Sequence, residues 1–361
     1  MDSLINRHDK CKTLRYVSGS IFCFMKKKIY CYISFVFLLF IACQSESNQS
    51  KNETAPVPAT PEITQLNSLI AAQPDQGDLW FQRGALYYDL DKYDEAIRDL
   101  KNAIELNPSD IQAWHLLADA QLDNLQSREA LETMETAAEK FSGRIATLLK
   151  LSEFQLILKR YGEAFNTIQR IQELDPQNAD AFFMKGMVFK ESGDTSQAIS
   201  QFQASTKENP NMIDAWINLG QLLAARHDPD AIRYYDGGLA VAPDNDLLLH
   251  AKAQFLAGEN KIEEAKQVYQ RMMEITPYAS EPYYDLGLLY LDQDSIEQAV
   301  NHFDLSIKID PMFSRAYFYR GLTKEMMGNP SAAQSDYEQT LQIDPEDKDA
   351  AQALKRLSGQ L

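Results

Sequence analysis

Few residues of this 361-residue chain are of a kind and spacing that could do covalent chemistry. All four cysteines, Cys11, Cys23, Cys31 and Cys43, lie in the first 43 residues, so the remainder has neither a disulfide framework nor a thiolate metal site. Cys43 is the one placed for a reaction. Met25-Lys26-Lys27-Lys28 is followed by an apolar run at residues 29–42, and small Ala42 stands directly before Cys43. A basic segment, an apolar stretch of 14 residues and a small residue before the cut have the form of a secretory signal at 1–42. With that signal complete from Met25, Met25 reads as the start of translation. The run is shorter than the roughly 20 residues a membrane-spanning helix needs. His115, His227, His250 and His302 stand far apart, with no second histidine at i+3 or i+4, and HExxH, GxSxG and glycine-rich phosphate loops are missing. Carboxylate pairs such as Glu263-Glu264 are ordinary on solvated helix faces. The expectation is a chain that is not an enzyme, holds no metal and uses no cofactor.

The tail Phe40-Ile41-Ala42-Cys43 resembles a bacterial lipobox, with Phe40 where leucine is usual. The resemblance implies that Cys43 receives lipid, palmitate included, and becomes the mature N-terminus. Gln44 is not the aspartate of an inner-membrane retention signal, so an outer-membrane lipoprotein of the bacterial cell envelope is expected. The alternative is an uncleaved anchor at 29–42 holding an accessory or regulatory subunit of an envelope complex in the inner membrane. Residues 43–61, rich in Ser, Asn, Gln and then Pro, read as a flexible linker between anchor and folded domain.

The rest of the chain is periodic. Prolines recur at Pro74, Pro108, Pro176, Pro210, Pro243, Pro277, Pro311 and Pro345, every 34 residues apart from one gap of 33 and one of 68, where Ser142 fills the vacant place. Twelve residues before each site from Pro108 on stands alanine: Ala96, Ala130, Ala164, Ala198, Ala231, Ala265, Ala299 and Ala333. Eight before it is a large apolar residue, from Leu100 and Met134 to Phe303 and Tyr337. Bulky residues such as Trp80, Trp114 and Trp216 open the repeats, each with a small one four positions on (Gly84, Ala118, Gly220). A bulky and a small residue one turn apart share a helix face, and proline closes a helix because it lacks an N–H. Each repeat therefore reads as helix–turn–helix, and a sustained period of this length is the mark of a stacked array.

Trp80, Gly84, Tyr87, Ala96, Ala103 and Pro108 resemble the tetratricopeptide repeat (TPR) family in type and order. The resemblance implies an all-α, right-handed superhelical solenoid of eight repeats over 62–346. The helix expected at 62–73 caps the start, with Ile63, Leu66, Leu69 and Ile70 inward, and 347–361 supplies a closing helix. In this family the first helix of each repeat lines an inner groove. Carried onto this sequence, the groove takes in Phe81, Tyr88, Asp89, His115, Phe183, Met187, Asn218, Tyr284, Asp285, Phe318 and Tyr319. Phe318 and Tyr319 are expected to be surplus to the fold, since Tyr317 already occupies the packing position. Asn218 lacks the basic neighbours of a carboxylate clamp.

Charge narrows the partners. From Cys43 on the chain carries 28 Lys and Arg against 50 Asp and Glu, which repels phosphate backbones and excludes nucleic acid as a partner. Protein or peptide segments remain, with the membrane engaged through the N-terminal lipid, and aromatic and methionine side chains among carboxylates suit segments bearing Lys or Arg.

Overall fold

A computed structural model describes residues 60–359, so the signal, Cys43 and nearly all of the linker lie outside the described residues. It contains eighteen α-helices and no strand among those residues. The helices fall into two units, divided between Ser192 and Gly193 inside the fourth repeat.

The first unit comprises α1 (Pro61–Ala72), α2 (Gly77–Asp89), α3 (Tyr93–Leu106), α4 (Ile111–Asp123) and α5 (Ser127–Lys140). It continues with α6 (Ile145–Ile157), α7 (Tyr161–Leu174) and α8 (Ala179–Ser192). The pairs α2–α3, α4–α5 and α6–α7 pack as hairpins, and each hairpin packs on the next. The second unit runs from α9 (Thr195–Glu208) through α10 (Ile213–Ala224), α11 (Asp230–Val241), α12 (Asp246–Gly258) and α13 (Ile262–Ile275). It closes with α14 (Glu281–Asp292), α15 (Ile296–Ile309), α16 (Ser314–Met326), α17 (Pro330–Ile343) and α18 (Lys348–Leu357). Here the hairpins are α10–α11, α12–α13, α14–α15 and α16–α17. The fold is that of a helical repeat solenoid.

The periodic columns are the core. All eight repeat alanines are fully buried, and so are the eight large apolar residues four positions after them. The small residue of the first helix faces that large side chain. A methyl group added at Gly287 would lie 2.7 Å from the Phe303 ring, and one at Gly321 2.9 Å from the Tyr337 ring. At Gly84 the neighbour is Leu100, at 3.0 Å. The opening tryptophans have a second task. Trp80, Trp114 and Trp216 each donate their indole N–H to the carbonyl of the proline six residues earlier, Pro74, Pro108 and Pro210, at 2.8, 3.1 and 2.8 Å.

Every turn between the two helices of a repeat places one residue in the left-handed region: Asp91, Leu125, Lys159, Gly193, His227, Asn260, Asp294 and Gly328. In seven of these turns the next N–H donates back to a carbonyl five residues earlier, as Lys92 does to Tyr87 and Gln126 to Gln121, both at 2.8 Å. That bond marks the Schellman ending of a helix. Only two of the eight residues are glycine, so six turns bear the side-chain strain of positive φ. The repeat with one residue fewer loses it just after such a turn, where Pro229 directly precedes α11.

The first capping helix departs from expectation in detail. In α1, Ile63, Leu66 and Ile70 are buried but Leu69 is exposed, because only three positions meet α2. In α18, Ala350 and Ala353 are buried and Leu354 and Leu357 pack against the same cluster. Asn329 caps α17 through its side chain, accepting from the Ala332 N–H at 3.2 Å, with Pro330 first in the helix.

Candidate interaction surface

The groove expected from the first helices has a separate form in each unit. In the first unit the row α2, α4 and α6 is joined by polar side chains. The Tyr88 hydroxyl on α2 donates to Asp123 Oδ2 on α4 at 2.6 Å. Burial first, and this carboxylate second, push the Tyr88 phenol well above its ordinary range. On α4, His115 Nε2 lies 3.2 Å from Thr147 Oγ1 of α6. Burial pushes His115 down to about 4, and the positive charges of Lys150 and Arg144 act in the same direction. Asp119 of α4 pairs with Lys150 of α6 at 2.7 Å. Burial still raises the Asp119 carboxyl, because desolvation outweighs the ammonium beside it. Glu153, one turn after Lys150, is likewise raised by burial, with Lys150 opposing and Asp119 adding to the rise. Phe81 packs against the Ala96–Leu100–Leu117 cluster, and Asp89 is exposed at the end of α2. On α8, Phe183 and Met187 are buried.

In the second unit aromatic rings do the joining. Tyr284 is only 4% exposed and sits in the cluster of Ala299, Phe303, Ile307 and Ala316. Its ring centre lies 5.0 Å from Phe313, 5.7 Å from Tyr319 and 6.0 Å from Phe303, and the Arg315 guanidinium lies 5.1 Å over its face. Phe318 meets Tyr319 edge-on at 5.3 Å and Tyr337 at 5.6 Å. Phe318 and Tyr319 are therefore packing residues that join α16 to its neighbours, and not surplus to the fold. Asn218 is buried, with Nδ2 donating to the Asp214 carbonyl at 2.8 Å. Asp285 lies 2.6 Å from His250 Nε2. Burial is the largest single influence and works against the imidazolium there, but Asp285, with Glu281 and Asp246 adding to it, holds His250 above its ordinary value.

Of the eleven groove candidates, Phe183, Met187, Asn218 and Tyr284 are thus closed to solvent. Phe81, Tyr88, Asp89 and His115 share the first row, while Asp285, Phe318 and Tyr319 belong to the second unit. Sequence reasoning did not single out Asp123, Lys150 or Glu153. A signal was available: Asp89 and Asp123 hold one repeat position and Asp119 and Glu153 another, each pair 34 residues apart. Among the described residues no cluster of His, Cys, Asp and Glu has the geometry to hold a metal ion. None of the described helices is long and apolar enough to cross a membrane.

Known proteins repeat the same pattern. Family models described as Tetratricopeptide repeat match residues 77–110 and 115–179, and one described as ChAPs (Chs5p-Arf1p-binding proteins) matches 162–347. The human Protein O-mannosyl-transferase TMTC1 is 25% identical over 189 residues, 51% of this chain and 21% of that protein. The Peroxisomal targeting signal receptor of Saccharomyces cerevisiae is 23% identical over 226 residues, 62% of this chain and 32% of the receptor. This chain therefore spans a fifth to a third of the length of these two relatives. Among solved structures, the C-terminal part of a TPR repeat-containing protein from Cytophaga hutchinsonii has a TM-score of 0.54 at 18% identity, covering 66% of this chain and 98% of that one.

Proposed function

Because the chain belongs to the tetratricopeptide-repeat proteins and, through the match at 162–347, to the ChAPs family, we propose that it is a non-catalytic scaffold that binds protein or peptide segments. One observation carries this reading. The columns that build the hairpins are wholly buried, while the first-helix row of α2, α4 and α6 keeps carboxylates and an imidazole partly open to solvent. A lipid on Cys43 then tethers the scaffold, through the 43–61 linker, to the membrane of a bacterial envelope, with the outer membrane favoured by Gln44. The O-mannosyl-transferase relative does not bring catalysis with it, since the shared stretch is a small part of that protein.

Two measurements test the reading. Photo-crosslinking in intact envelopes from positions on α2 and α4 should trap a protein, and an absence of adducts there would overturn the scaffold. Cys43→Ser should leave the chain unprocessed or soluble. A Cys43→Ser chain that still fractionates with membrane at the mature mass would overturn the lipid anchor. Wild-type chain in the inner membrane at the uncleaved mass would favour the anchored accessory subunit instead.

A further inference from the structure

The three first helices of the leading repeats carry two cations, and one is already engaged. Arg83 of α2 turns to the second helix of its own repeat, donating to both carboxylate oxygens of Asp99 at 2.6 and 2.8 Å and to Asn67 of α1 at 2.7 Å. Lys150 is left, and it is held by Asp119 at 2.7 Å with its ammonium 5.6 Å from the Phe154 ring. Against it stand the carboxylates of Asp78, Asp89, Asp119, Asp123 and Glu153 on the same helices. Asp123 is satisfied only by a neutral phenol, and Glu153 has no ion pair among the described residues.

The acidic positions alternate with apolar ones along the row. Ile157, at the repeat position of Asp89 and Asp123, is 40% exposed, and half-buried Leu149 and Leu122 lie on the same face. Half-desolvated carboxylates beside exposed aliphatic surface attract a partner that brings its own cations on an apolar backbone of side chains.

We propose that the face formed by α2, α4 and α6 docks an extended or helical peptide segment of a partner protein in which Lys or Arg alternates with aliphatic residues. The inference rests on the scaffold reading and names the chemistry of its partner. A second copy of this chain is a poorer occupant, since from Cys43 on it presents 50 acidic against 28 basic residues. Nucleic acid is excluded by the same sign of charge.

The test uses the purified full chain in detergent and three fluorescein-labelled twelve-residue peptides: Leu alternating with Lys, with Gln and with Glu. Fluorescence anisotropy should show the Lys peptide binding about tenfold or more tighter than the Gln peptide, with the Glu peptide weakest. Raising salt from about 0.05 M to about 0.5 M should remove most of that preference. Asp123→Asn with Glu153→Gln should reduce Lys-peptide binding about tenfold while leaving the helical circular dichroism unchanged. Glu297→Gln, exposed on α15 in the second unit and outside the first-helix rows, serves as the control and should leave binding as it was. Equal binding of Lys and Gln peptides, no binding by any of them, or full binding by the double variant would each overturn the inference. So would a shift to a dimer in sedimentation that Asp123→Asn abolishes, which would assign the face to a second copy. Envelope crosslinks from α2 and α4 together with no peptide preference would retain the scaffold and reject the basic segment.

Discussion

The first-helix row of the leading unit and that of the closing repeats start from one template and end as different materials. Between α2, α4 and α6 the bridges are Tyr88 to Asp123, His115 to Thr147 and Asp119 to Lys150, all hydrogen-bonded and all partly open to solvent. Between α14 and α16 the bridge is a stack of rings, Tyr284, Phe313, Tyr319 and Phe303, with Tyr284 closed off. A hydrogen-bonded bridge contributes little net stability but leaves charged atoms available to a ligand, whereas a ring buried on both sides contributes area and leaves nothing free. Repeat position therefore decides where a side chain is placed, and its chemistry decides whether it supports the fold or offers a surface.

The contrast breaks most sharply at Tyr284. Tyr284→Ala should destabilise the second unit by about 3–5 kcal/mol, read from urea unfolding, because it empties the centre of the ring stack. Tyr88→Phe in the first unit should lose about 0.5–1.5 kcal/mol, the share of one hydrogen bond. Equal losses at the two sites would erase the distinction between a packed row and a polar one.

A smaller effect separates the two units at their glycines. Gly287→Ala drives a methyl group to 2.7 Å from the rigid Phe303 ring and should cost about 1–3 kcal/mol. Gly84→Ala meets Leu100 at the longer distance of 3.0 Å, on an aliphatic chain rather than a rigid ring, and its midpoint of thermal unfolding should move less. A larger shift at Gly84 would mean that the neighbour's stiffness is not what counts.

The turns offer a change of opposite sign. Leu125 is 90% exposed with φ of 61°, so its side chain gains no packing and bears the left-handed penalty. Leu125→Gly should stabilise the first unit by about 1 kcal/mol, and a lowered denaturation midpoint would contradict the strain.

The mildest prediction is a pH slope. His115 binds its proton near 4 when folded and near its ordinary value when unfolded, so the unfolded chain holds more protons between those values. Its contribution to stability is complete above about 6.5 and is lost as pH falls toward about 4. His115→Asn should flatten the stability profile in that window. Asp119 and Glu153, raised by burial, act in the opposite sense, so the comparison is between variant and wild type at each pH.

Much of this fold could be read from one chain because its strongest signals are steric and local in the repeat. Alanine can occupy Ala96 or Ala299 when a second helix lies against it, and proline can close α3 or α15 without a partner, so period, hairpins and both capping helices were legible. The turns were less so: six of the eight left-handed residues are Asp, Asn, Leu, Lys or His, and without glycine their backbone leaves little trace in sequence. The fate of the groove candidates was hidden for another reason. Whether Tyr284 is open depends on Phe313 and Tyr319, about one repeat away, and a pattern of i and i+4 says nothing of what the next repeat sends across. Lys150 and Glu153 escaped notice because a charged pair on one helix looks like any solvated face until Asp119 is placed opposite.

The indole bonds to Pro74, Pro108 and Pro210 also give the molecule an optical address system. The chain has three tryptophans, Trp80 tied where the capping helix meets the first repeat and the other two at junctions between successive repeats, two in the first unit and one in the second. Trp80 has in addition the Arg83 guanidinium 4.9 Å from its ring. Conversion of two of the three to phenylalanine leaves a native lamp at a single known junction, so three such variants report on repeats one, two and five in turn.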